Sequence, residues 1–101
     1  MRIAISLFCF GCALTAQTAP DTGEGKKLFE AKCGVCHSEG SERRIGPGLK
    51  GAKDGKLPDG RNASHDTLLK KVNEGGGGMP VFRDLLTEKE KESIIGYVLT
   101  L

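Results

Sequence analysis

The chain has no tryptophan, one tyrosine and four phenylalanines among its 101 residues. So few large side chains cannot fill a generous core in a domain this small, and some other apolar body is expected to supplement them. Excess charge is also missing. Fifteen Lys and Arg stand against thirteen Asp and Glu, a net of +2 with no long basic run, which excludes the charged stripe that nucleic acid requires. No apolar stretch reaches the 18 or so residues of a membrane helix. Four cysteines are too few for a dense disulfide scaffold. Internal repeats are absent, and no segment alternates with the period of two that marks a strand.

What is present begins with an apolar stretch from Ile3 to Leu14, preceded by Arg2 and followed by Ala13, Ala16 and Ala19. This order of charge, apolar core and small residues is that of a secretory signal. Residues 1–16 are therefore expected to be removed, because a cut after Ala19 would place Pro20 immediately beyond it. Residues 17–22 then form a short lead-in, and residues 23–101 the domain. A retained anchor would be short for a bilayer. Lipidation of Cys12 behind Gly11 is a competing ending, but Cys9 stands where such signals carry leucine. Removal of the leader takes Cys9 and Cys12 with it. Cys33 and Cys36 then remain as the two cysteines of an exported body, in an oxidising compartment, with a periplasmic location expected.

That body reads as three short helices separated by breakers. From Asp21 to Cys36, small or apolar residues at Gly25, Leu28, Phe29, Cys33 and Cys36 recur every three or four positions, the period of a helix face. Asp21 with Glu24 three residues on suggests a capping box. Residues 38–62 hold six glycines and two prolines, too many for a regular element. Leu68, Leu69 and Val72 mark a second helix over Asp66 to Asn73, started by Ser64 or Asp66 and ended by Gly75 to Gly78. Thr87 with Glu90 caps a third, along which Ile94, Ile95, Val98 and Leu101 form an apolar stripe. Packing alone would leave such a body marginal.

The missing core material is pointed to by Cys33-Gly34-Val35-Cys36-His37, the attachment pattern for a haem held through thioether bonds. Cysteines three apart on the last turn of a helix lie on one side, roughly 5 to 6 Å apart at their β-carbons. Both sulfurs then reach the vinyl groups on one porphyrin edge, and His37 follows as an axial ligand to iron. A structural disulfide would close a tiny loop and leave His37 without a role. A thiol oxidoreductase would place the pair after a strand, and a zinc site would need ligands beyond Cys33, Cys36, His37 and His65. Met79, the one methionine beyond the leader, lies in Gly75-Gly76-Gly77-Gly78-Met79-Pro80. Its soft sulfur suits the sixth iron position, and the glycines allow close approach of backbone to ring. His65 is the rival sixth ligand. The Asn62-Ala63-Ser64 glycosylation triplet is read as chance.

In order along the chain, a helix with Gly25 and Phe29, then Cys33-x-x-Cys36-His37, Gly46-Pro47-Gly48-Leu49, Gly78-Met79-Pro80, and Leu86-Thr87 opening a helix with Tyr97 resemble the class I monohaem cytochromes c. The resemblance spans residues 23 to 101. It implies an all-α fold of three to four short helices and glycine-rich loops around one covalent haem c. It also implies that the Pro47 carbonyl steadies the outer nitrogen of His37, that Leu49 packs on the porphyrin, and that Gly25 lets the first helix cross the last at Ile94 and Tyr97. The expected role is electron transfer between redox proteins, with no enzymatic reaction: a dehydrogenase or respiratory complex as donor and an oxidase or reductase as acceptor. Docking would use a mixed-charge rim to which Lys26, Lys27, Lys32 and Lys53 contribute, and the chain would be a monomer or a subunit of a larger complex. The alternative is a haem enzyme or ligand sensor, peroxidase-like, with a labile sixth ligand.

Overall fold

A computed structural model describes residues 21–101; the leader at 1–16, its cleavage after Ala16, and Cys12 lie outside the described residues. Among the described residues three α-helices follow one another, α1 (Thr22–Lys32), α2 (His65–Glu74) and α3 (Glu88–Val98), with a short 3-10 turn at Ala52–Asp54. Pairing between extended segments among the described residues is limited to two isolated bridges, Lys56 with Asn62 and Gly76 with Met79. The fold is all-α, as the periodicity predicts.

Each helix starts on a side chain that accepts an otherwise unpaired amide. At α1 the Asp21 carboxylate takes the Glu24 amide at 3.0 Å, the forward half of the expected box. At α2 Ser64 caps, and its partner in a full box is Thr67, whose hydroxyl accepts the Ser64 amide at 2.8 Å. Thr87 and Glu90 form the predicted box at α3. The breaker-rich segment carries no regular helix beyond the 3-10 turn, yet it is pinned at intervals: the Leu49 amide donates to the Ser38 carbonyl at 2.9 Å and the Gly51 amide to the Leu101 carbonyl at 2.9 Å.

The core lies between α1 and α3. Phe29, Leu86, Ile94, Tyr97 and Val98 are buried together, with Leu28, Cys33, Leu49, Leu68, Val72 and Phe82 packed around them. Phe29 and Tyr97 meet edge to face, ring centroids 5.7 Å apart, a favourable arrangement of aromatic quadrupoles. Burial, then the neighbouring Glu39 carboxylate, raises the Tyr97 phenol above its usual range. The helices cross at Gly25, where a β-carbon would sit 2.0 Å from the Ser93 carbonyl oxygen and 2.9 Å from Tyr97 Cβ. Tyr97 is thus at the crossing as expected, but its companion is Ser93, one turn before it on the same face. Ile94 turns instead into the core, where it is almost fully buried.

Lys91 is the unexpected member of α3. It is buried, and its ammonium donates to the Arg83 carbonyl and the Glu88 carboxylate, both at 2.8 Å. A charge is tolerated there because it is paired and hydrogen-bonded.

Candidate functional site

The Cys33–His37 segment continues the path of α1 as a chain of turns. The Cys33 and Gly34 amides both donate to the Phe29 carbonyl at 2.8 Å, and the Cys36 and His37 amides donate to the Cys33 carbonyl at 3.0 and 2.8 Å. The helix itself ends at Lys32 with Cys33 as its C-cap, so the cysteines lie in the turns just past the helix and not on its last turn as the spacing predicts. The shared Phe29 carbonyl ends the regular ladder. Arg44 donates a guanidinium hydrogen bond to the Gly34 carbonyl and ties the turn to the next loop. Cys33 is half-buried against the core. Burial, and secondarily Cys36, pushes its thiol up to about 11, so it stays protonated at neutral pH and is a weak nucleophile.

His37 is held from two directions. Its Nδ1 lies 2.8 Å from the Pro47 carbonyl oxygen, which as an acceptor selects the tautomer carrying the proton on Nδ1. The ring also lies against Gly46, where a β-carbon would come 2.4 Å from Cε1 and 2.8 Å from Nδ1. The Gly46 amide donates to the Cys36 carbonyl at 2.7 Å. Gly48 is equally confined, its would-be β-carbon 2.4 Å from the Gly40 carbonyl oxygen. Behind this loop, buried Ser38 donates to Glu42 at 2.6 Å and accepts from the Gly40 amide at 2.9 Å. Among the described residues no protein group bonds His37 Nε2, which leaves that lone pair available to a metal.

The four glycines before Met79 form a closed turn. The Gly76 amide donates to the Met79 carbonyl at 2.9 Å and the Met79 amide to the Gly76 carbonyl at 3.2 Å. Gly77 and Gly78 between them have φ of 65° and 95°, positive at both central positions as a tight two-residue hairpin demands. The Phe82 amide then donates to the Val72 carbonyl at 3.0 Å and returns the chain to α2. Met79 is half-buried at the end of this turn.

His65 is engaged elsewhere. Its two ring nitrogens lie 3.1 Å from Asp66 and 2.6 Å from Glu92, so it links the start of α2 to α3. Among the described residues the exposed large apolar side chains are Val35, Ile45, Val81 and Leu85. Val35 stands between the cysteines, Ile45 next to Gly46, and Val81 two residues beyond Met79, which places apolar exposure beside every segment of the site. Sequence reasoning missed Gly46 as the seat of the imidazole, Ser38 as a buried support, the hydrogen bonds that Lys71 donates to the Gly75 and Gly76 carbonyls, and the tether made by Lys91. The Gly46 signal lay in its position immediately before Pro47; the lysines carried none.

These residues fit a covalently attached haem. A thioether carries no charge to desolvate, so the half-buried setting that disfavours a Cys33 thiolate is neutral toward a thioether sulfur. The imidazole is pre-set in the ligating tautomer. Asn73 on α2, two residues before the glycine turn, has a buried amide oxygen with no partner among the described residues, a spare acceptor beside the same turn. An all-α fold whose chain offers a Cys-x-x-Cys-His turn and a methionine on a tight glycine hairpin defines a c-type haem protein. Over residues 20–98 the chain matches the family described as cytochrome C oxidase, cbb3-type, subunit III. It is similar to cytochrome c6 of Rippkaea orientalis, 36% identical over 81 residues that cover 80% of this chain and 71% of that protein. It is likewise similar to cytochrome c6 of a Nostoc species, 30% identical over 97 residues covering 96% and 85%. Among solved structures it resembles cytochrome c6 from the diatom Phaeodactylum tricornutum, with a TM-score of 0.64 at 32% identity over 79% of this chain and 92% of that one. The c-type cytochrome SorU of Sinorhizobium meliloti aligns with a TM-score of 0.59 at 25% identity, covering 79% and 88%. The chain belongs to this family of class I c-type cytochromes. It is an electron-transfer protein that binds haem c.

Proposed function

We propose that Cys33 and Cys36 carry the two thioether links of one haem c, that His37 and Met79 ligate its iron from opposite sides, and that the protein shuttles single electrons without catalysing a reaction. When bound, the haem supplies a couple between ferric and ferrous iron. The observation that carries the reading is the His37 clamp: the Pro47 carbonyl on Nδ1 and the ring laid on Gly46 leave Nε2 as the ligating atom. A filled pair of axial positions suits electron transfer because no bond need break as the charge changes. The closed glycine hairpin supports Met79 as the second ligand, since it fixes the backbone that presents the sulfur. Leu49, half-buried against the core and next to the Gly-Pro-Gly turn, would pack against the porphyrin beside His37.

The exposed apolar residues Val35, Ile45, Val81 and Leu85, together with exposed Lys26, Lys27, Lys32 and Lys53, suit brief contact with redox partners through a small interface. A dehydrogenase or respiratory complex as donor and an oxidase or reductase as acceptor fit that surface. Among the described residues no helix is long and apolar enough to cross a membrane; with residues 1–16 read as a cleaved signal, the carrier works in the periplasm. A subunit permanently docked in an oxidase is the second reading, favoured by the name of the matching family. Size-exclusion of the native exported fraction separates the two.

Ligation is tested by visible spectroscopy on holoprotein from a host that attaches haem. The ferric wild type should show the weak long-wavelength sulfur-to-iron band and bind cyanide slowly, and Met79→Ala should abolish the band and bind cyanide fast. A wild type without the band, binding cyanide quickly and tightly, would instead establish the haem enzyme or sensor with a labile sixth position.

A further inference from the structure

The glycine turn before Met79 is tethered by a side chain that neither the attachment motif nor the ligand set includes. Lys71, half-buried on α2, reaches along its own helix end and donates to the Gly75 and Gly76 carbonyls, each at 3.1 Å. The Gly76 carbonyl is the one that also accepts the Met79 amide. One ammonium therefore bridges the last turn of α2, whose free carbonyls favour a cation, to the hairpin bond that sets the position of Met79. Gly75 cannot supply that stiffness alone: its φ of 60° lies in the left-handed region, and three further glycines in a row have the lowest intrinsic preference for any one conformation.

We propose that Lys71 is a positioning residue for the sixth ligand: its ammonium, bonded to Gly75 and Gly76, holds the glycine turn closed and so keeps the Met79 sulfur on iron. The inference rests on Met79 as that ligand. Two charge-assisted bonds converge on adjacent carbonyls, so the tether restrains both position and orientation. The turn is open on its far side, since no atom would lie within 4 Å of a β-carbon at Gly77 or Gly78. The protein's own atoms thus leave the tip unpacked, and the restraint the polypeptide supplies comes from its base. Lysine reaches there because position 71 stands four residues before Gly75, on the same helix face.

The experiment uses ferric holoprotein and imidazole as the probe, because imidazole enters the sixth position only after the sulfur leaves. Lys71→Met keeps the aliphatic stem and removes the donors; Lys71→Arg keeps charge and donors. Loss of two partly exposed charge-assisted bonds is expected to raise the imidazole binding rate about tenfold in Lys71→Met, with the sulfur band weakened, helical circular dichroism unchanged at the assay temperature, and Lys71→Arg close to wild type. An unchanged rate in Lys71→Met overturns the proposal, as does an equal rise in Lys71→Arg. Met79→Ala, run alongside, distinguishes the two levels. If the band survives in Met79→Ala, the ligand assignment itself is wrong; if it vanishes there while Lys71→Met matches wild type, only the role of Lys71 is refuted.

Discussion

Single residues in this protein act mainly through the backbone groups they touch. His37 is oriented by a carbonyl and by a missing β-carbon, and the cap of every helix is a side-chain oxygen on an amide. His65 is the clearest exception, a side chain bonded to two others. Its carboxylate partners, Asp66 first and Glu92 second, raise its pKa from 6.5. A raised folded-state value means that the stabilisation is complete below the unfolded pKa and is lost as pH climbs through the folded one. Because His65 is half-exposed, solvent reduces the effect to roughly half a kcal/mol. Thermal melts of wild type and His65→Ala should therefore differ by about 2–4 °C near pH 5 and converge at alkaline pH; a difference that grows with pH would contradict the assignment. At this scale the attachment turn was readable in advance because its meaning lies in contiguous residue types. The Pro47 contact was accessible only through resemblance, since an accepting carbonyl has no residue signature. Lys71 and Lys91 were unreadable, because a lysine in a helix ordinarily marks a solvated face.

Among the elements, the α1–α3 crossing carries the architecture. Gly25 stands inside a helix at a propensity cost of about 1 kcal/mol relative to alanine, and the close approach to Ser93 explains it. Gly25→Ala would recover that propensity but press a methyl group on a backbone carbonyl that cannot swing aside. With overpacking at or above about 3 kcal/mol, the net expectation is a loss of about 2 kcal/mol, read from denaturant unfolding followed by helical circular dichroism. An alanine variant as stable as wild type would mean that the helices do not cross there. The three helices and their caps were legible from period and capping pairs, with boundaries within a few residues. The facing residue was not: a glycine in the first helix reveals that something comes close, but whether Ser93 or Ile94 meets it depends on helix rotation, which the core decides by taking Ile94. The glycine run read as a helix end that lets backbone approach the ring, and its closure into a hairpin depends on carbonyl pairing that composition does not record.

At the scale of the whole molecule the thin core is the governing fact. Its buried apolar side chains are Phe29, Leu57, Leu86, Ile94, Ile95, Tyr97 and Val98 among the described residues, few for a domain of this size. The haem is therefore expected to be structural as well as functional. The double variant Cys33→Ala with Cys36→Ala, expressed in a host able to attach haem, is expected to lose its covalent pigment and most of its helical signal, and to melt without a cooperative transition. A colourless variant that keeps a sharp melt would show that the polypeptide folds on its own residues.

The crossing at Gly25 and Ser93 joins positions near opposite ends of the domain, with most of the domain looped between them. Bringing such distant segments together has an entropic cost that grows with the intervening length, and Cys33 lies half-enclosed against the core that this closure completes. With Cys33 as an attachment point, sewing on the porphyrin is expected to come before the two ends meet, because their meeting encloses that side chain.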